Sequence, residues 1–82
     1  MIRVRYFARY RETMAVADEQ YPDTATTLVE LAEQMRNRHP VAGVVLDDAR
    51  CIVAVNQKVI KGGDVPLQSG DEVAFYPPVT GG

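Results

Sequence analysis

One cysteine, Cys51, and one histidine, His39, are all that this 82-residue chain holds of those two residue types. A lone cysteine excludes an intrachain disulfide and leaves no cysteine pair to ligate a metal, so no metal site is expected. No apolar run approaches the roughly 20 residues that a membrane-spanning helix needs. The opening residues Met1-Ile2-Arg3-Val4-Arg5 alternate instead of forming the apolar block of a secretory signal. With a strand beginning at residue 2, little chain is left for targeting, and the expectation is a reduced, cytoplasmic protein. An excess of positive charge is also missing: the net charge is −2, which gives no bulk attraction to nucleic acid. A chain this short buries only about 60–65% of its unfolded surface. That leaves little room for an enclosed active site beside a core.

What is present is ordinary for one globular domain, with 46% hydrophobic and 24% charged residues. From Ile2 to Arg11 the even positions are Ile2, Val4, Tyr6, Ala8 and Tyr10, and the odd ones Arg3, Arg5, Phe7, Arg9 and Arg11. Period two predicts a strand with its even face buried. Phe7 is then an aromatic ring among arginines. Residues 12–22 are ambiguous; Ala15 to Tyr21 reads as a short second strand closing a hairpin, ended at Pro22. Thr27-Leu28-Val29-Glu30 matches a capping box, and Leu28, Leu31, Ala32 and Met35 form one apolar stripe. A helix over about 28–38 follows, with Arg36 and Arg38 in its last turn and Pro40 beyond it.

Val41 to Arg50 is mixed, with a turn suggested by Asp47-Asp48. Cys51 to Val55 is a continuous apolar run, the pattern of a central strand covered on both faces. Asn56-Gln57 suits a tight turn into a short return strand, Lys58 to Ile60. Gly62-Gly63-Asp64 reads as a loop, and Leu67 to Asp71 as a turn into a last strand, Glu72 to Tyr76. On that strand Val73 and Phe75 share one face, Ala74 and Tyr76 the other. Strands with a single main helix predict an α+β domain, the helix packed on one sheet face. By analogy more than by pattern, this is a β-grasp, the ubiquitin-like arrangement, with the first and last strands parallel neighbours at the sheet centre. The domain is expected over residues 1–76 and an extended tail over 77–82.

The tail reads Pro77-Pro78-Val79-Thr80-Gly81-Gly82. The prolines stop the strand and stiffen the exit. Fully extended, these residues reach about 20 Å, enough to enter a partner's active site while the domain stays outside. Glycine lacks a Cβ and so passes a narrow channel. A terminal carboxylate on Gly82, with a reference pKa near 3.5, is ionised at neutral pH and must be activated before it reacts. Two terminal glycines occur by chance in about 0.5% of chains at average usage. A frayed end is therefore the plain alternative when the tail is taken alone.

Joined together, these blocks closely resemble a family, the small sulfur-carrier subunits of molybdopterin synthase. The matching residues are Met1-Ile2-Arg3-Val4 with Tyr6-Phe7-Ala8, Arg11-Glu12, Val53-Ala54-Val55-Asn56-Gln57, Gly70-Asp71-Glu72-Val73-Ala74-Phe75, and Pro77-Pro78-Val79-Thr80-Gly81-Gly82. Residues 13–50 match only in outline. The resemblance implies that a ubiquitin-activating-type enzyme adenylates Gly82 with ATP and that a persulfide-generating donor converts it to a thiocarboxylate. The tail, through Val79, Thr80 and Gly81, would enter the large subunit and give its sulfur to cyclic pyranopterin monophosphate, building the dithiolene. It implies a heterotetramer of two large and two small subunits, no cofactor bound by the carrier, and no catalysis by the carrier alone.

If the first and last strands are neighbours, Phe7 and Tyr76 approach each other and Val59 completes a small apolar surface. With Pro77, Pro78 and Arg11 these are the expected partner contacts. Arg3, Arg5 and Arg9 read as a solvated strand face, Cys51 as a buried strand residue, His39 as a helix-end residue without a metal, and Lys58 and Lys61 as surface residues. A carrier for thiazole synthesis or tRNA thiolation, a ubiquitin-like protein modifier, and a β-grasp interaction module with an idle tail are the competing functions.

Overall fold

The computed structural model describes residues 1–78, so Val79, Thr80, Gly81 and Gly82 lie outside the described residues. The chain runs β1 (Ile2–Tyr6), α1 (Arg9–Met14), β2 (Asp18–Tyr21), α2 (Leu28–Arg38), α3 (Ala42–Leu46), β3 (Ile52–Val55), β4 (Lys58–Val59) and β5 (Glu72–Tyr76). The five strands form one mixed sheet in the order β2-β1-β5-β3-β4. β1 and β5 are parallel, and the other pairs antiparallel. This is the expected β-grasp order, with first and last strands side by side.

The core is one cluster on a single face of the sheet. Ile2, Val4 and Tyr6 of β1, Val73 and Phe75 of β5, and Tyr21 of β2 meet Leu31 and Met35 of α2 and Val45 of α3. Val53 and Val55 pack against this cluster from β3. The helix α2 lies where its pattern put it. Thr27 is extended, and its Oγ1 accepts the Glu30 N–H at 3.2 Å. The Glu30 carboxylate reaches back one residue further than a simple capping box, accepting the Thr26 N–H at 2.8 Å and hydroxyl at 2.7 Å. At the other end His39 is extended, as the following Pro40 requires.

Four expectations need correction. β1 stops at Tyr6, and the chain turns at Ala8, with φ 52°, into a short helix. Alternation concealed this because Tyr10 and Met14 are buried at helical i, i+4 spacing while Arg9 and Arg11 are exposed. Even parity continued across a change of element. β2 is correspondingly short, since Ala15 is the left-handed cap of α1 at φ 61°. Second, Val41–Arg50 holds a helical turn, α3, which buries Ala42 and Val45 three residues apart. The turn expected at Asp47-Asp48 follows it: Asp48 Oδ1 accepts the Arg50 N–H at 3.0 Å. Third, β3 is not the central strand its apolar run suggested but lies one place from the edge, next to β5, which with β1 holds the expected central place. Fourth, Cys51 precedes β3 and is only half-buried.

A polar group set against the core ties β2 to the end of α2. The Glu19 side chain, 12% exposed, accepts from the Tyr6 hydroxyl at 2.8 Å, the Tyr21 hydroxyl at 2.9 Å and faces His39 Nε2 at 2.9 Å. Burial pushes the Glu19 carboxyl up, but hydrogen bonds from His39, Tyr6 and Tyr21 outweigh it, and the net position is below the usual carboxylate range. A depressed folded pKa contributes stability that is present above the unfolded value, near pH 4.3, and is lost as pH falls through the folded one. Glu19→Gln should cost about 1–3 kcal/mol at pH 7 by leaving its donors poorly matched. It should also flatten the fall in stability from about pH 5 downward. Urea titrations of both proteins from pH 7 to pH 3 check this; parallel pH curves would disprove the assignment.

Candidate functional site

The helices cover one face of the sheet, and the residues pointing away from the core form the other. Register divides that open face in two. At one end Arg3 lies opposite Glu72 on β5 and Gln20 on β2. Ion pairs join Arg3 to Asp18 at 3.0 Å and to Glu72 at 3.8 Å, so this half neutralises itself. At the other end Ile52 lies opposite Tyr76, and Ala54 lies between Ala74 and Val59. Ala54 and Ala74 are each 3% exposed yet stand outside the core cluster, since they face the other way.

Phe7 joins this apolar half because Tyr6 pairs with Phe75, which puts the next residue beside Tyr76. Its N–H still donates to the Phe75 carbonyl at 3.1 Å. The two rings stack with centroids 4.4 Å apart and planes 10° from parallel. Stacked aromatic pairs contribute about 0.5–1.5 kcal/mol beyond the area they bury. Val59 is 61% exposed on the far rim, an apolar side chain left in water on a two-residue strand. Phe7, Ala8, Arg9, Ile52, Val59, Tyr76, Pro77 and Pro78 together line an open pocket of about 610 Å³. It sits where the chain leaves β5.

Five of the expected partner residues thus converge: Phe7, Val59, Tyr76, Pro77 and Pro78. Arg11 does not line the pocket. It is exposed on α1, and among the described residues it has no ion pair. Val79, Thr80, Gly81 and Gly82 fall outside the described residues. Ile52 and Ala8 are lining residues that the sequence did not single out, and Arg9 is one it placed on a solvated strand face, whereas it stands at the start of α1. For Ile52 the cue was parity with Ala54, hidden by an unbroken apolar run. For Ala8 and Arg9 the cue was masked by the strand reading.

The chemistry of the remaining candidates is plain. Burial pushes the Cys51 thiol up, away from the thiolate that a reactive cysteine needs. It lines a second, smaller depression of about 230 Å³ between α2 and β3, on the other side of the sheet. Among the described residues no group of three or more His, Cys, Asp or Glu side chains is placed to hold a metal ion. No helix among them is long and apolar enough to cross a membrane. What the described residues do form is an open apolar pocket at the end of β5.

Residues 4–82 match the ThiS family. The molybdopterin synthase sulfur carrier subunit of Escherichia coli (strain K12) is 38% identical over 82 residues, covering all of both chains. Its human counterpart is 35% identical over 85 residues, covering 99% of this chain and 93% of that one. Among solved structures, subunits 1 and 2 of the molybdopterin-converting factor from Helicobacter pylori 26695 have been seen as a complex. The matching chain there has a TM-score of 0.71 and 26% identity, covering 99% of this chain and 97% of its own.

Phe7→Ala and Tyr76→Ala should each weaken binding to a partner on this face by about tenfold or more, as loss of a central aromatic anchor does. Because both rings are only half-buried and lie outside the core cluster, the fold should persist. Titration calorimetry with the molybdopterin synthase large subunit, beside thermal unfolding, reads both halves. Wild-type affinity in both variants would remove the patch from the interface.

Proposed function

The chain belongs to the ThiS family, and from that membership we propose that it is the sulfur carrier subunit of a molybdopterin synthase. The observation that carries this reading is the position of the apolar pocket, at the root of the segment that ends in Gly81-Gly82. A carrier needs two things from its fold: a surface that a partner can grip, and a reactive end that reaches past that surface. Phe7, Tyr76 and Val59 supply the grip, and Pro77-Pro78 start the reach. The full-length likeness to sulfur carriers in several organisms supports the same conclusion.

The chemistry follows from the terminal carboxylate of Gly82. Ionised, it is a weak nucleophile and a poor acceptor of sulfur. An adenylating enzyme of the ubiquitin-activating type joins it to the α-phosphate of ATP, with loss of pyrophosphate; the outer sulfur of a persulfide donor then displaces AMP to form an acyl disulfide, which a second thiol of the donor system cleaves, becoming a disulfide itself and releasing the sulfur on Gly82. The resulting thiocarboxylate enters the large subunit and gives its sulfur to cyclic pyranopterin monophosphate; two deliveries build the dithiolene. ATP is consumed by the activating enzyme, and this chain holds no cofactor of its own. A reduced, cytoplasmic setting suits its single half-buried thiol. A carrier for thiazole synthesis or tRNA thiolation, or a protein modifier, would share the adenylate and differ in the acceptor.

Deleting Gly82, or adding one residue after it, should abolish sulfur delivery and leave thermal stability nearly unchanged. Misplacing a reacting atom by about 1 Å can cost around a hundredfold, and one residue moves the carboxylate by about 3.3 Å. Gly81→Ala should be harmful but milder. The assay is adenylate formation with the activating enzyme, then conversion of the precursor by the large subunit, with intact mass reporting replacement of a terminal oxygen by sulfur. Wild-type rates from a chain ending at Gly81 would refute the proposed role of Gly82.

The purified chain alone should not turn over pyranopterin precursor with inorganic sulfide. It has one histidine and one cysteine, and burial holds the cysteine's thiol protonated. Product formation above the uncatalysed rate, with no partner present, would contradict this.

A further inference from the structure

We propose that Arg5 is a positioning residue for sulfur delivery, acting, on the carrier function proposed above, by holding Phe7 against Tyr76 so that the docking surface is ordered before a partner arrives. By alternation Arg5 is one of several arginines on a solvated strand face. The structure gives it a more particular place. Its guanidinium carbon lies 5.0 Å from the centre of the Phe7 ring, and its Nη1 lies 3.8 Å from Glu72 Oε2. The Phe7 ring is stacked on Tyr76. One line of contacts therefore runs Glu72, Arg5, Phe7, Tyr76 along the open face of two adjacent strands.

Register makes this line possible. Arg5 pairs with Ala74 on β5, whose methyl group leaves room for a long side chain to lie along the sheet. Glu72 and Tyr76 flank Ala74 on the same face, two residues to either side. Phe7 needs such support. The pairing of β1 with β2 ends at Arg5, which lies opposite Asp18, so no residue of β2 stands beside Phe7. The chain then turns away at Ala8, with φ 52°. The ring is thus held by Tyr76 from one strand and by Arg5 from its own.

A guanidinium over an aromatic face is attracted by the ring's quadrupole, and its planarity lets it lie flat there. Glu72 limits where that guanidinium goes. Docking requires the Phe7 ring to be ordered, and a ring ordered in advance spares the complex that entropy loss. Pro77 follows Tyr76 directly in the chain, so the same contacts set the point from which the tail departs.

The test uses the full chain with Arg5→Met, which keeps the stem without the charge, and Arg5→Lys, which keeps the charge without the plane. Inter-ring nuclear Overhauser effects between Phe7 and Tyr76 are measured in the free protein. Affinity for the molybdopterin synthase large subunit is measured in the wild-type and Phe7→Leu backgrounds. Arg5→Met should weaken the inter-ring effects and raise Kd about threefold, with partial rescue by Arg5→Lys. In the Phe7→Leu background Arg5→Met should change Kd no further. An equal loss in both backgrounds would mean that Arg5 meets the partner directly, and unchanged inter-ring effects would mean that it does not hold the ring; either overturns the proposal. If the wild-type chain fails to bind the large subunit at all, the carrier reading falls and the role in delivery with it. The inter-ring effects, measured without partner, still decide whether Arg5 holds Phe7.

Discussion

Parallel pairing of the first strand with the last is the constraint on which the rest of this structure depends. β1 and β5 are separated by nearly the whole chain, yet they lie side by side near the sheet centre in a single register: Arg3 with Glu72, Val4 with Val73, Arg5 with Ala74, Tyr6 with Phe75. Alternate pairs fall on opposite faces. Val4, Val73, Tyr6 and Phe75 enter the core, while Arg3, Glu72, Arg5 and Ala74 face outward. A slip of one residue would exchange those sets and put charge in the core. The same register sets Phe7 beside Tyr76, so the apolar pocket is a by-product of the pairing that makes the core.

That surface survives in water because it is half of a face, and small. The neighbouring half is covered by paired charges, in which Arg3 and Arg5 share Glu72. The apolar half keeps its largest rings stacked on each other, which reduces what is offered to solvent. An exposed apolar patch of this kind, with an arginine at its edge, is what a protein-binding surface is made of.

Rigidity around the last strand comes from the β3–β4 turn. Asn56 and Gln57 both adopt left-handed backbone angles, φ 50° and 69°, as a two-residue hairpin turn demands. Asn56 then reaches across to β5: its N–H donates to the Glu72 carbonyl at 2.8 Å, its Oδ1 accepts the Glu72 N–H at 3.0 Å, and its Nδ2 donates to Asp71 at 3.0 Å. The start of β5 is thereby fixed from one side by β1 and from the other by this turn. The other end of β5 is followed by Pro77 and Pro78, which line the pocket.

The sequence by itself determined the elements whose signals are local. The cap at Thr27, the stripe Leu28-Leu31-Ala32-Met35 and the break before Pro40 bounded α2 at the residues where it lies. The alternation of Glu72–Tyr76 set Val73 and Phe75 on one face and Ala74 and Tyr76 on the other, and the Gly-Gly tail with its flanking motifs pointed to a carrier. Tertiary structure alone decided what local pattern leaves degenerate. Tyr10 and Met14 satisfy strand parity and helix spacing together, so only packing could end β1 at Tyr6 and start α1. Ala42–Leu46 is too short for a period to show. An unbroken run such as Ile52-Val53-Ala54-Val55 does not say which side faces the core, because all four residues are apolar. Pairing with β5 settles it, sending Val53 and Val55 inward and Ile52 outward into the pocket. The place of Arg5 is of the same kind: Phe7 is its neighbour two residues along, but the Glu72 carboxylate it meets and the Tyr76 ring on which Phe7 stacks are brought there only when residue 72 comes to lie beside residue 3.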